Sequence, residues 1–302
     1  ASLARQMCLR GDVVLRRSPP SSAALPLSGP ASGLRPPMRL LIQTACYLVG
    51  DGITATIRKL EAYILSTYPD AVICILTTRS GDATMLDRYL DLVEDDKRES
   101  ARSRRTVIFT ASLKMPVAAE TGYELGLGLS AKELSAVSFF DPTVIHITVP
   151  DFLSLDLLSY AVKAKTPLVA TFHSDYIAYQ DFYQAPWMKS ILLLYMRHVY
   201  SFAPLLLAPT PFALDSMRRY GLDRVTEIGE WGRGVDTKLF TPEARSREWR
   251  RAMGFGDDDV VVVFYSRVVA EKSPTVYASV LRRLSHLPRV RGLVIGSGPL
   301  LP

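Results

Sequence analysis

The sequence predicts an α/β protein made of two Rossmann-like domains with parallel sheets. Short, continuous apolar stretches such as AVICILT, TPLVATF and VVVVFY alternate with helical patterns along the chain. Uninterrupted apolar strands are typical of a parallel sheet that helices cover on both faces. The length of 302 residues suits about two domains. With 48% hydrophobic and 22% charged residues, the composition excludes wholesale disorder.

The individual elements follow from the same pattern. Apolar runs predict strands over 39–44, 71–77, 106–110, 144–148, 168–172, 205–208, 260–266 and 292–295. Helical periodicity predicts helices at about 53–66, 130–139, 152–164, 187–202, 211–220, 244–253 and 274–286. The segment 78–105 is highly charged, and we expect an exposed helix and loop there.

The domain organisation is predicted from changes in composition. The stretch GEWGRGVD at 229–236 holds three glycines, which predicts a flexible crossing between two domains. We therefore expect a leader over 1–37, an N-terminal Rossmann-like domain over 38–228, and a hinge with the beginning of a C-terminal Rossmann-like domain over 229–302. The chain stops at GLVIGSGPLLP, directly after a strand and a turn. We expect the second domain to be truncated at this point.

The leader is rich in Ser, Pro, Ala and Arg and cannot bury a core. This composition is typical of a transit peptide, whereas an artefact of gene prediction is the alternative, because Met38 begins a plausible mature start. Residues 1–39 hold +5 of the formal net charge of +6. The remainder is nearly neutral, which argues against a nucleic-acid partner.

The three cysteines and the hydropathy pattern indicate the cellular location. An odd cysteine count without C-x-x-C spacing argues against a disulfide framework and a zinc site and favours a reducing compartment. The most apolar stretch, 190–208, is interrupted by Arg197, His198 and Pro204, so a membrane span is not expected. We expect an intracellular protein, in the cytoplasm, at a cytosolic membrane face, or in an organelle such as a plastid if the leader is a transit peptide.

Two cations after a predicted strand form the strongest local signal. In FYSRVVAEKSP, Arg267 and Lys272 follow the strand, and Ser273 and Pro274 suit the cap and first turn of the next helix. Cations beside a helix N-terminus at a strand's carboxyl end suit a diphosphate. The alternative is that Arg267 pairs with Glu271 or another acid at the surface.

Two glycine-rich turns follow other strands. Gly50, Asp51 and Gly52 come after the first strand, and Gly296 and Gly298 lie in GSGP after the last. Glycines allow a close approach between backbone and ligand, but an ordinary turn is the alternative in both cases. Neither a dinucleotide fingerprint nor a P-loop is present.

The segment TFHSDY closes a predicted strand. His173 and Asp175 therefore lie at the carboxyl edge of the sheet, facing the predicted cleft between the domains. A histidine there could bind a hydroxyl or a phosphate. The alternative is a purely structural histidine.

These segments together resemble glycosyltransferase family 4, the retaining enzymes of GT-B fold. The resemblance rests on TFHSDYIAYQ, LAPTPFALDSMRRYG, EWGRGVDTKLFTPEAR, YSRVVAEKSP and GSGP, which occur in this order over roughly 39–299. The chain is most similar to the sulfoquinovosyltransferase and α-mannosyltransferase branch, which glycosylates lipids. LVGDG stands where many members show a Pro…NG loop, a departure at Asp51.

The resemblance implies a role for each candidate residue. A nucleotide-diphosphate-sugar donor would be held by Arg267 and Lys272, with the loops Gly50–Gly52 and Gly296–Gly298 beside it. His173 would line the reaction centre, with Asp175 and Tyr176 on the acceptor side. The acceptor would be a lipid such as diacylglycerol, as in glycolipid biosynthesis. No cofactor or metal is expected, because the two cations neutralise the departing phosphate.

The resemblance and the residues favour same-face attack, in which the leaving phosphate accepts the acceptor's proton. No paired carboxylates of the glycosidase type are evident. Since a Glu-x7-Glu segment of the family would lie beyond Pro302, we expect the fragment itself to be inactive. The alternatives are a non-catalytic GT-B binding or scaffold protein and, less favoured, a sugar-nucleotide epimerase or dehydrogenase.

Membrane contact is a further expectation of the sequence. An apolar, aromatic stretch at 176–203 lies near the predicted cleft and could dock on a bilayer. Trp187, Ile191, Leu194 and Phe202 are among the residues that recur on one face of its predicted helix. The alternative is that this face packs in the core.

Overall fold

The computed structural model describes residues 37–114, 124–182 and 185–301. These residues form a seven-stranded sheet, a second sheet of two strands and a small hairpin. The predicted leader therefore lies outside the described residues, apart from Pro37.

The strands match the predicted apolar runs closely. In chain order they are β1 (Arg39–Gln43), β2 (Val72–Thr78), β3 (Arg105–Thr110), β4 (Ser112–Lys114), β5 (Glu124–Gly126), β6 (Val144–Ile147), β7 (Leu168–Thr171), β8 (Leu205–Ala208), β9 (Glu227–Glu230), β10 (Val260–Tyr265) and β11 (Val290–Ile295). The short strands β4, β5 and β9 were not predicted, because none has an apolar run of its own.

The helices follow the predicted periodicity. They are α1 (Gly52–Thr67), α2 (Arg98–Ser103), α3 (Ala131–Phe140), α4 (Phe152–Ala164), α5 (Tyr176–Phe182), α6 (Lys189–Ser201), α7 (Pro211–Arg219), α8 (Arg247–Ala252) and α9 (Pro274–Arg283). Helix α2 lies within 78–105, where a helix and loop were expected. Helix α5 was not predicted, because its seven residues are too few for the pattern to repeat.

The first sheet has the order β3-β2-β1-β6-β7-β8-β9, with every pair of neighbours parallel. Strand β1 pairs with β2 on one side and β6 on the other, so Leu41 lies opposite both Cys74 and Ile145. The chain thus builds one half of the sheet, returns past β1, and builds the other half. All of its strands therefore present their carboxyl ends at one edge.

Helices cover this sheet on both faces. Leu40 and Ile42 of β1 pack into one apolar cluster with Ile53 and Ile57 of α1. Leu41, which points the opposite way, packs into the other cluster with residues of α3, α4, α6 and α7. Complete burial of such a side chain contributes roughly 1.5–3 kcal/mol each. The prediction of a two-face-covered parallel sheet is confirmed.

The second sheet is small. Strands β10 and β11 pair in parallel from Val260 opposite Val290 to Tyr265 opposite Ile295. Helix α9 is tied to both strands through Tyr277, whose hydroxyl lies 3.0 Å from the carbonyl oxygen of Val262 and 3.1 Å from that of Leu293. Along the chain, the first sheet ends with β9 and the second begins with β10. This agrees with the prediction of two separate parallel sheets.

Two local expectations are wrong. The segment 78–105 is not wholly exposed: Tyr89, Leu90, Val93 and Ala101 are buried against α1. Its charged residues occupy the outer side of short helical turns. Because the expectation was based on the charge of the whole segment, it missed the few apolar residues that are buried. The predicted domain boundary at 228/229 falls within β9, which continues to Glu230.

The apolar face expected on helix α6 also lies elsewhere than in the core. Met196, Val199 and Tyr200 pack inward, whereas Trp187, Ile191 and Leu194 are 72%, 62% and 72% exposed. Two apolar side chains of this helix, Ile191 and Leu194, and Trp187 in the turn before it are therefore exposed to solvent.

A buried ion pair joins α1 to strand β3. Arg105 contacts the carboxylate of Glu61, and their side chains are 5% and 0% exposed. The hydroxyl of Tyr47 donates to the same carboxylate at 2.5 Å, and Arg105 lies over the rings of Tyr47 and Tyr89 at 5.1 and 4.5 Å. This cluster fixes the loop after β1 against the segment that precedes β3.

Removal of Arg105 should destabilise the first sheet strongly. In Arg105→Ala the carboxylate of Glu61 stays buried without its cation, which typically costs about 3–5 kcal/mol. We expect the free energy of unfolding in urea to fall by this amount. Arg88→Ala is the matched control, because the ion pair of Arg88 with Asp91 is exposed and contributes about 0–1 kcal/mol. Equal losses in the two variants would contradict the assignment.

Candidate functional site

The loop after β1 leads directly into helix α1. Asp51 caps the helix by accepting from the backbone N–H of Thr54 at 2.8 Å. Gly50 is exposed, and a Cβ there would make only an ordinary van der Waals contact, 3.5 Å from the terminal methyl of Met85. Asp51 thus has a structural task as the cap, whereas nothing in the packing requires a glycine at position 50.

His173 lies two residues beyond β7 and is 8% exposed. A guanidinium nitrogen of Arg233, Nη2, lies 3.1 Å from His173 Nδ1 and 3.1 Å from the His173 carbonyl oxygen. Burial, together with the charge of Arg233 and the neighbouring His146, holds the pKa of His173 well below its usual 6.5. The imidazole is therefore neutral at physiological pH.

Asp175 and Tyr176 follow His173 at the start of helix α5. Asp175 Oδ1 accepts from the backbone N–H of Ala178 at 3.0 Å, and the hydroxyl of Tyr220 donates to both carboxylate oxygens at 2.9 and 3.0 Å. The ring of Tyr176 packs edge-on against Tyr179. Asp175 therefore anchors α5 to the end of α7, and its acceptor-side role remains a prediction.

Arg267 lies at the carboxyl end of the second sheet, with its Nη2 at 3.3 Å from Glu271 Oε1. This is the pairing that the sequence offered as the alternative to phosphate binding. Lys272 is exposed, and its ammonium has no hydrogen-bond or ion-pair partner among the described residues. Pro274 begins helix α9 as expected, but Ser273 has a left-handed φ of 55° and makes no side-chain cap.

Gly296 and Gly298 are needed for packing within the second sheet. A Cβ at Gly296, where φ is 145°, would lie 1.9 Å from the Ser266 carbonyl oxygen, and one at Gly298 would lie 2.3 Å from that of Val268. Val268 also donates its N–H to the Ser297 carbonyl at 2.8 Å. Close contact with the backbone thus explains why both positions are glycine, as the alternative of an ordinary turn predicted. Their donor-binding role stays a prediction.

Contacts across the two sheets bring several of these loops together. Helix α5 packs against the turn Ala270–Lys272, and Tyr179 of α5 lies within electrostatic range of Arg267 and Glu271. On the other side, Arg233 lies against Gly52, where a Cβ would approach its Nη1 to 3.2 Å. Arg233 thus contacts both His173 and the Gly50–Gly52 loop. The turn that carries Lys272 lies near the same edge of the first sheet, because it packs against α5.

Sequence reasoning missed Arg233 and Trp231. Trp231 packs its ring 6.3 Å from the ring of His173 and donates its backbone N–H to the Ala208 carbonyl at 2.7 Å. Both residues lie in GEWGRGVD, which was interpreted only as a flexible crossing. The structure instead fastens this segment as far as Gly234 to the first sheet, since Lys59 Nζ also donates to the Gly234 carbonyl at 2.7 Å.

Other features of the described residues lie apart from this site. A cavity of about 780 Å³ between β3 and α3 is lined by Arg79, Phe109 and Lys132 among others, and it shares no lining residue with the predicted site. No group of three metal-ligating side chains occurs within the described ranges. No helix in the described part of the chain is long and apolar enough to cross a membrane.

The central part of the chain matches the sequence model of a known protein family. Residues 92–239 match the sequence model of the family described as Glycosyltransferase Family 4. This segment of the chain is similar to glycosyltransferase family 4. The predicted resemblance is thereby confirmed.

Curated proteins that resemble this chain are also glycosyltransferases. It is 28% identical to the sulfoquinovosyl transferase SQD2 of Arabidopsis thaliana over 58% of this chain and 34% of that protein. It is 30% identical to a GDP-mannose-dependent α-mannosyltransferase of Mycobacterium tuberculosis over 55% of this chain and 42% of that protein. The matched part thus spans about a third to two fifths of these relatives.

A solved structure shows the same fold. HepE of Anabaena, in complex with UDP-glucose, superposes with a TM-score of 0.58 at 16% identity, over 85% of this chain and 60% of that one. At this identity the likeness concerns the fold alone. The α/β fold of this chain is of the GT-B type, as predicted.

The glycines of the two turns should differ sharply in their effect on stability. Gly296→Ala places a Cβ against the Ser266 carbonyl oxygen at a left-handed φ, so we expect a loss of at least about 1–3 kcal/mol. Gly50→Ala meets only the end of Met85, and we expect less than about 1 kcal/mol. Urea unfolding and limited proteolysis of residues 256–301 measure the difference. An Ala at 296 that leaves stability intact would contradict the packing described for this turn.

Proposed function

We propose that the protein transfers a sugar from a nucleotide-diphosphate-sugar to an acceptor, with retention of the anomeric configuration. The proposal rests above all on the packing of helix α5, which follows His173, against the turn that carries Lys272. This contact brings the carboxyl ends of both sheets to one edge, where α/β sheets bind their ligands. The family assignment supports sugar transfer as the reaction.

The donor diphosphate would bind at the second sheet. Lys272 offers an exposed ammonium, and Arg267 offers a planar guanidinium that Glu271 already orients. A diphosphate between them would gain charge-assisted hydrogen bonds as negative charge develops on the leaving group. Because Gly50 is exposed and carries no side chain, the backbone of the first loop would be able to approach the donor from the other side.

Same-face attack would complete the reaction without a protein nucleophile. The acceptor hydroxyl oxygen forms a bond to the anomeric carbon on the face that the diphosphate leaves. The bond from that carbon to the phosphate oxygen breaks, and the hydroxyl proton passes to the departing phosphate. His173, held neutral by burial, would position the sugar. We propose that no metal or cofactor is needed, because the two cations stabilise the leaving group.

A lipid such as diacylglycerol is the acceptor that we propose, in glycolipid synthesis at an intracellular membrane surface. Support comes from the exposed apolar side of α6 and from Phe212 of α7, which is also exposed. Residues 185–226, which include both helices, hold five Lys and Arg against two Asp. An apolar ridge within a basic surface suits the face of an anionic bilayer.

Donor binding provides the first test. We expect UDP-glucose or GDP-mannose to bind to the protein in a calorimetric titration, and Lys272→Ala to weaken that binding about 10–100-fold. The factor corresponds to one charged hydrogen bond of about 1.5–3 kcal/mol. Lys163→Ala is the matched control, since Lys163 is an exposed lysine at the far end of α4. Lys272 is preferred to Arg267, whose removal would strand the buried carboxylate of Glu271.

Transfer itself provides the second readout. Because we expect the 302-residue chain itself to be inactive, this readout uses the full-length protein. Its incubation with either donor and diacylglycerol should give an α-linked product from an α-linked donor, which proton NMR of the anomeric signal distinguishes. Binding without transfer to any hydroxyl acceptor would favour the non-catalytic binding protein. Inversion would exclude same-face attack. The absence of both binding and transfer would overturn the proposal.

Membrane contact should depend on the exposed side of α6. We expect the protein to co-sediment with vesicles of anionic phospholipid, and Ile191→Ser combined with Leu194→Ser to reduce the bound fraction at least about tenfold. Loss of two buried aliphatic contacts of about 1.5 kcal/mol or more each accounts for this. Phe139→Ser is the matched control, because Phe139 is an exposed apolar residue of α3. Equal binding by all variants would contradict this docking surface.

A further inference from the structure

The contact between Arg233 and His173 fixes the hydrogen on the imidazole. A guanidinium carries donors only, so at 3.1 Å Arg233 Nη2 donates to His173 Nδ1. A nitrogen that accepts this bond holds no hydrogen of its own. Because the imidazole is neutral, its single hydrogen must lie on Nε2.

The other ring nitrogen is left without a partner. His173 Nε2 is buried and has no hydrogen-bond acceptor among the described residues. A buried N–H that lacks an acceptor destabilises the folded protein, because it has lost its hydrogen bond to water without gaining another. An oxygen that reached this atom would recover that energy, although it would first have to displace the atoms that cover Nε2.

Arg233 is well placed to act on His173. The same Nη2 also donates to the His173 carbonyl oxygen at 3.1 Å, so backbone and ring are held together. Its Nη1 lies beside Gly52, and the negative charge of Asp51 attracts the guanidinium. Arg233 therefore spans from the loop after β1 to the loop after β7.

We propose that Arg233 is a positioning residue, which holds His173 as the Nε2–H tautomer so that the ring donates one hydrogen bond to an oxygen of the ligand. The oxygen belongs to a sugar hydroxyl or to a phosphate of the nucleotide-sugar, so this inference rests on the proposed function. His173 is then a donor and not a base, because its one acceptor nitrogen is occupied by Arg233. The assignment agrees with a reaction in which the leaving phosphate takes the proton.

The tautomer can be measured without any activity. The chain has four histidines, so ¹⁵N-imidazole NMR with His173→Asn for assignment resolves the ring of interest. In the ligand-free protein we expect a protonated Nε2 and an unprotonated Nδ1. Arg233→Ala should remove this preference and raise the pKa of His173 toward 6.5, since a positive neighbour is lost; His146 then remains as the other titratable group that faces the ring. Arg233→Lys, which keeps a charged donor, should restore the wild-type tautomer.

A matched control separates positioning from general loosening. Lys59→Met removes the other bond that holds the same segment, the one to the Gly234 carbonyl, and leaves Arg233 in place. We expect it to leave the tautomer and the pKa of His173 unchanged. If Lys59→Met and Arg233→Ala have equal effects, or if the wild-type ring carries its hydrogen on Nδ1, the proposal is overturned.

Addition of ligands tests the second part of the inference. UDP, GDP and free glucose are titrated separately, followed by UDP-glucose and GDP-mannose. A shift of the Nε2–H signal with a nucleoside diphosphate alone assigns the acceptor oxygen to phosphate, and a shift only with a complete donor assigns it to the sugar. Binding elsewhere without a shift at Nε2 contradicts the inference while leaving the proposed function intact. In transfer assays Arg233→Ala should lower kcat/KM about 10–100-fold, with recovery in Arg233→Lys.

Discussion

The rest of the structure depends on the parallel pairing of β1 with β2 on one side and β6 on the other. Parallel pairing requires helical crossovers, and these cover both faces of the sheet with apolar side chains. It also delivers every loop that follows a strand to a single edge. The order of the strands reverses at β1, beside Gly50–Gly52, and α/β sheets bind their ligands at such a point. The position of the candidate site therefore follows from the topology before it depends on particular side chains.

Most of this architecture could be predicted from the sequence because the signals are local. The strands VICILT and VVVVFY are apolar without interruption, and Pro274 marks the start of a helix by its fixed φ. The failures also have a common cause. Tyr89 and Leu90 are buried within a charged segment, and β9 forms by pairing with β8, so both depend on partners distant in sequence. A window of neighbouring residues does not contain that information.

The same distinction applies to the site. Gly50, His173 and Lys272 could be singled out because each follows a strand, and strand ends are visible in the sequence. The reasons for Gly296 and Gly298 could not, because they lie in the backbone of Ser266 and Val268. Arg233 was overlooked since three glycines around it suggested freedom, whereas its importance comes from contact with His173, sixty residues earlier in the chain. The sequence therefore identifies where a loop lies. It does not identify which side chains from distant parts of the chain contact that loop.

The bonds of Lys59 and Arg233 also determine where the two sheets could pivot. Trp231 is held to the end of β8, Arg233 to His173, and Gly234 to helix α1, so residues 231–234 are fastened to the first sheet. Any opening or closing of the second sheet against the first must therefore bend the chain after Gly234, within the exposed stretch that precedes α8. In such a movement Arg233 and His173 travel together, and the distance that changes is the one from this pair to Lys272. Such a motion would thus change the distance from the imidazole to Lys272 while preserving the orientation of the imidazole.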